Sequence, residues 1–254
     1  MTDRLIKIKD GFLKNSDSVK ELMNFDRIIL DFCIIHIDNL NTKLKNLIID
    51  NPYLLAENTL QVLRGIREND SMRAQYESIY NQCLVLLVSH YTVMMEDFFK
   101  SSIDLLIIEN KDNFTEMDDA IKISLNELKS VNFNLSGNFG DLLLKKKDIS
   151  FQDMQSMNRA FRQYLGFSLP LDSTLNNIIF AQAARHSIVH SLANADDKFI
   201  NQIRNVIPRE IQPNIKRKDI IKMTSDEIIK IDECMRQTLD YCIRQIDAQI
   251  EGCK

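Results

Sequence analysis

Glycine and proline are scarce, six and four in a chain of 254 residues. Strand-rich folds spend both on turns, so their scarcity argues against a turn-dense sandwich or barrel and for long helices. Tryptophan is absent, which carries little information. The five cysteines (Cys33, Cys83, Cys234, Cys242, Cys253) form no CxxC pair and no zinc-ribbon spacing. An odd, scattered set suits reduced thiols in a cytoplasmic protein. Long apolar runs are also missing: Cys83 to Val88 is far too short to span a membrane. The opening MTDRLIKIKDGFLKN lacks the apolar core of a signal peptide. A basic excess is missing too, since the net charge is −4 and the isoelectric point about 5.6. That argues against a general nucleic-acid coat but leaves room for a local basic patch. No internal repeat, glycine-rich phosphate loop, paired catalytic carboxylates or serine–histidine triad signature is present.

What is present is helical periodicity. Residues 1–15 alternate loosely and read as an extended arm or short strand. Ser16, Asp17 and Ser18 then offer a helix start. Leu22, Phe25, Ile29, Phe32, Leu40, Leu44 and Leu47 keep a stripe to about Ile49, with His36 as a packed or interface histidine. Asn51 and Pro52 break it. A short helix or loop follows, ending at the cap candidates Asp70 and Ser71. The second long helix runs from about Met72 to Ile108, nearly apolar all round at its centre, as a central bundle helix must be. Thr115 with Asp118 resembles a capping box opening a helix to about Val131. An irregular, solvated segment carries Lys145, Lys146 and Lys147. Ser150 and Asp153 open another helix, bearing Arg159 and Arg162 and closed by Gly166. Asp196 and Asp197 open a short helix, and Thr224, Ser225 and Glu227 cap the last, which runs to about Ile250. The expected fold is all-α: residues 1–70 form an N-terminal arm and long helix packed on a helical bundle of residues 71–254.

The chain is organised around residues 173–200, STLNNIIFAQAARHSIVHSLANADDKFI. Asp172 and Ser173 announce a helix start after Gly166 and Pro170. Leu175, Ile178, Ile179, Ala183, Ile188 and Val189 recur at helical spacing, so one face should be buried. Into that run come Arg185, His186, Ser187 and His190. Histidine suits proton transfer at neutral pH, and the arginine fork can hold two phosphate oxygens. Five positions along a helix turn about 140° and rise about 7.5 Å. Arg185 and His190 therefore meet on one phosphate only if the helix ends or distorts there, or if a second chain supplies one of them. The plainer reading is a histidine favoured by a helix C-terminus and an arginine paired with a carboxylate. A metal reading also stands, because His186 and His190 are one turn apart. The zinc-protease form, however, would need Glu where Ser187 stands.

Residues 178–200 resemble the signature helix of the HEPN family, and residues 72–252 resemble that family loosely. Its mark is an Arg, a polar residue and then a His four to six positions after the Arg, here Arg185, His186 and His190. The resemblance implies a HEPN-like helical bundle and a homodimer with the motif at its interface. It also implies a cofactor-free, metal-independent endoribonuclease of toxin or antiviral type, acting by 2′-hydroxyl attack and in some cases held by an antitoxin or other regulatory partner. His190 would move the proton, Arg185 would clamp the phosphate, and His186 would support them. The family often carries an acidic residue facing the motif. Glu96 is the candidate partner of Arg185, with a solvent-facing Glu beside Asp97 as the alternative. Lys145, Lys146, Lys147, Arg159 and Arg162 would steer RNA phosphates. Leu192 stands where many members carry a modifiable Tyr, so that mode of control is not expected. Competing classes are a non-catalytic helical dimerisation module and a nucleotide-binding regulator.

Overall fold

The structure is a computed structural model that describes residues 3–46, 56–68, 76–109, 121–135 and 137–252. Among them the chain is all-α, with one isolated antiparallel bridge between Asn194 and Ile220 and no strand. The helices are α1 (Asp3–Asn46), α2 (Glu57–Glu68), α3 (Tyr76–Ile108), α4 (Leu125–Ser130), α5 (Phe139–Lys147), α6 (Met154–Ala160), α7 (Ser173–His190), α8 (Asp197–Ile203) and α9 (Ser225–Glu251), with a π-helical turn, Phe161–Leu165, directly after α6. No described helix is long and apolar enough to cross a membrane.

The centre of the bundle is α3, which packs against α1, α5, α7, α9 and the π-turn. Its sequence dictates that place: Cys83, Leu84, Leu87, Tyr91, Met95, Phe98, Phe99 and Ile103 are all buried and cover more than one face. Phe99 stacks on Phe161 with ring centroids 5.8 Å apart, and Phe151 and Tyr164 close around it. At Gly140 a β-carbon would collide with the Lys100 backbone, so only glycine lets α5 lie this close to α3. The Gly140 amide donates to buried Asp104 at 2.9 Å, and Arg4 of α1 reaches the same carboxylate at 3.3 Å.

The helix starts after Asp153, Asp172, Asp196 and Thr224 follow the sequence reading, each with the side chain accepting from a backbone amide of the first turn. Gly166 closes the π-turn at φ 72°. Several other expectations are corrected. Residues 3–15 are helix rather than an extended arm, because Leu5, Phe12, Val19 and Met23 form one buried stripe beneath a charged surface. Ser16 does not start a helix; its hydroxyl lies buried mid-helix and donates to Asp232 of α9 at 2.5 Å. From Leu22 onward most of the expected buried stripe is inverted. Leu22, Phe25, Ile29, Phe32 and Leu40 face solvent, while the opposite face carries Leu30, Ile34, Ile37 and Asn41. α2 runs back along α1, held by Arg67–Asp31, Arg64–Asp38 and Lys45–Glu57 pairs. His36 is exposed, its Nδ1 2.8 Å from the Phe32 carbonyl. Thr115 and Asp118 lie outside the described residues, as do Asp70 and Ser71. The helix that ends near Val131 starts only at Leu125, through a capping box of Ser124 and Glu127. The lysine run is the last turn of α5, where cations favour the helix C-terminus, rather than a loop.

Candidate functional site

Helix α7 carries two kinds of surface. From Leu175 to Ala184 it is largely buried, with Ile178, Phe180, Ala181 and Ala184 fully inside. Its last two turns emerge, and Arg185 and His186 are half-buried while His190 is exposed. The helix stays regular to its end at His190 and closes when the Ser191 amide donates to the Ser187 carbonyl at 2.8 Å. Leu192 and Ala193 then take left-handed backbone, φ 53° and 61°, and reverse the chain. Asp196 fixes the reversal: its carboxylate accepts from the Ser191 hydroxyl at 2.7 Å and from the Phe199 amide at 2.8 Å. These bonds hold that carboxyl below the usual carboxylate range, the backbone amide of Phe199 contributing most.

The reversal lays α8 against α7 and encloses a cleft of about 640 Å³. Arg185, His186 and His190 line it together with Lys198 of α8, Ser89 and Thr92 of α3, and Gln155 of α6. Arg185 and His190 therefore open into one cleft without any distortion of the helix, and one chain supplies both. The Lys198 ammonium lies 2.9 Å from His186 Nε2, so this nitrogen accepts and the ring carries its proton on Nδ1. The His186 and His190 rings are 4.7 Å apart. Desolvation pushes the His186 pKa down, and the charges of Lys198 and His190 push the same way, against an opposing pull from Asp196. His186 is thus a neutral acceptor at pH 7. Arg185 makes no hydrogen bond or ion pair with any described residue. The lining carboxylate, Asp153, is already engaged in capping α6 through the Ser156 amide at 2.8 Å. The cleft is cationic, with an uncommitted guanidinium, and its complement is an anion. In its wall Gln182 Oε1 accepts from the Met154 amide at 2.9 Å, which leaves a buried Nε2 without a partner. The neighbouring Ser187 hydroxyl is also buried and unpaired.

The other expected site residues lie apart from this cleft. Glu96 does not partner Arg185 within the chain: its carboxylate pairs with Lys100 at 2.8 Å, one turn along the same helix. Lys146 binds Glu127 at 2.7 Å, and Lys145, Arg159 and Arg162 are exposed. None of these basic residues, nor Lys147, lines the cleft. Lys198 and Gln182 were not singled out from the sequence. Gln182, three residues before Arg185 on a buried face, offered a signal as a polar group in an apolar run. Lys198 offered none, because its return depends on left-handed backbone at two residues that are not glycine. Among the described residues, no three His, Cys, Asp or Glu side chains are grouped to hold a metal ion. No family model, curated protein or solved structure matches the chain.

Proposed function

We propose that the protein is a HEPN-like, metal-independent endoribonuclease, with the cleft at the end of α7 as its active site. The observation that carries this reading is the joint presence of Arg185, His190 and Lys198 in one cleft, with the guanidinium uncommitted among the described residues. In that role Arg185 holds the non-bridging oxygens of the scissile phosphate. His190 takes the proton of the 2′-hydroxyl as its oxygen attacks phosphorus, the bond from phosphorus to the 5′-oxygen breaks, and a proton from solvent water passes to the departing 5′-oxygen. The products are a 2′,3′-cyclic phosphate and a free 5′-hydroxyl. Desolvation, with the charge of Lys198 second, favours the neutral form of His186, and Lys198 adds positive charge toward the phosphorane. As a cytoplasmic toxin or antiviral effector the protein would act as a homodimer, under an antitoxin or other regulatory partner.

The test is incubation of the purified protein with total RNA in excess EDTA, followed by end-group analysis. Cleavage leaving cyclic phosphate, lost in His190→Ala, supports the reading. Cleavage that vanishes in EDTA and returns with a divalent ion transfers the chemistry to a metal. A second reading, a nucleotide-binding regulator, is favoured by the unpaired Gln182 amide in the wall of a nucleotide-sized cavity. Saturable mononucleotide binding without any RNA cleavage would select it.

A further inference from the structure

The outer half of α1 holds an apolar surface that nothing in the described chain covers. Leu22, Phe25, Ile28, Ile29, Phe32 and Ile35 are each 43–61 % exposed. At 100° per residue these six positions fall within an arc of about 140°, so they form one continuous face about 20 Å long. Their positions have a property that exposure alone does not require: they are symmetric about the point between Ile28 and Ile29. In an antiparallel pair of α1 helices with a two-fold axis there, Phe25 meets Phe32 of the second copy along the middle of the face, Ile28 and Ile29 each meet their own counterpart on the two flanks, and Leu22 and Ile35 close the ends. The same register sets Glu21 opposite His36, both exposed. A symmetric pairing needs a patch complementary to itself, and this spacing supplies one.

We infer that this face is a homodimer interface, occupied by the α1 helix of a second copy running antiparallel. The area agrees. Six side chains, each with roughly 100 Å² still exposed, supply about 600 Å² per copy, and the pair together reaches about 1,200 Å², the lower edge of a specific interface. Two phenylalanines at the centre give it the aromatic anchors on which such interfaces depend. None of the six residues lines the α7 cleft, so the inference stands whether or not the chain cleaves RNA.

Sedimentation equilibrium on the full chain across the micromolar range tests it. The wild type is expected to dimerise, and Phe25→Asp with Phe32→Asp to weaken association at least about 100-fold with unchanged helical circular dichroism. Val62→Asp, at an exposed apolar position on α2 outside the stripe, should leave the dimer intact. For register, a Phe25→Cys/Phe32→Cys chain is oxidised and its linked peptides mapped. Cross-links between positions 25 and 32 of different copies support the antiparallel pair; links of 25 to 25 and 32 to 32 overturn it. A wild type that stays monomeric, a dimer indifferent to the paired aspartates, or a monomer that uses this face only to bind lipid vesicles would each overturn the proposal.

Discussion

The base of α1 and the end of α7 both place polar side chains at the edge of the core, and they treat them in opposite ways. At the base of α1, buried Asp232 accepts from Ser16, from Lys20 at 2.6 Å and from Arg236 at 2.8 Å, and Arg236 also reaches Ser16 and Asp17. Every group there has a partner, and the result is a tie between the first and last helices. At the end of α7, among the described residues, Arg185 makes no hydrogen bond or ion pair, and the Gln182 Nε2 and Ser187 hydroxyl are buried without partners. An unpaired buried donor costs free energy that a folded chain ordinarily avoids. The first region is explained by folding alone, whereas the polar groups of the second are left unexplained by the contacts of the fold.

The comparison breaks most visibly through chemistry. Arg185→Ala and His190→Ala are each expected to lower RNA cleavage by about 10²–10⁴-fold, while melting temperature and dimer content stay as in the wild type. Mixing the two variants adds a further distinction. No recovery is expected, because one chain lines the cleft with both residues; recovery would mean that each working site takes its arginine and histidine from different copies. Asp232→Ala acts in the reverse sense, costing about 3 kcal/mol in denaturant unfolding with the chemistry of the remaining folded protein unaltered. An Asp232 variant of normal stability would show that the α1–α9 tie contributes little.

The next effect is a titration. His186 should titrate below its ordinary 6.5, read by the NMR shift of its ring protons. Lys198→Met should move that value upward, because it removes a positive charge 2.9 Å from Nε2. The sign for stability follows. The folded chain releases this proton more readily than the unfolded chain, so the contribution of His186 is intact above pH 6.5. It is lost as the pH falls through 6.5 toward the depressed value. Smallest is Ser16→Ala, which removes one hydroxyl from a carboxylate that keeps two cationic partners; a loss of about 1 kcal/mol is expected in thermal unfolding.

Much of the α7 region was legible because its signals are short-range. Asp172, Asp196 and Thr224 bind amides three residues on, and those spacings are printed in the chain. Of the two readings open for Glu96, the surface one was legible in the same way, since Lys100 stands four residues along. Ser16-Asp17-Ser18 imitated a helix start because a serine that will meet a distant carboxylate looks the same as one that caps. The stripe of α1 was legible as apolar but not as exposed, since burial belongs to the neighbour and not to the helix. The return of Lys198 was beyond reach, because left-handed backbone at Leu192 and Ala193 leaves no glycine to mark it.

The length of α1 has a hydrodynamic consequence. Its 44 residues extend about 66 Å, whereas a sphere packed from a chain of this size is only about 46 Å across. The helix cannot be enclosed by the rest of the molecule, so one end overhangs however the bundle packs. A rod fixed to a globule tumbles anisotropically, and its frictional coefficient exceeds that of a sphere of equal mass. Amide relaxation rates along α1 should therefore report a slower effective rotation than those of helices lying across its axis, and rotational diffusion gives the overhang a readout that needs no substrate and no partner.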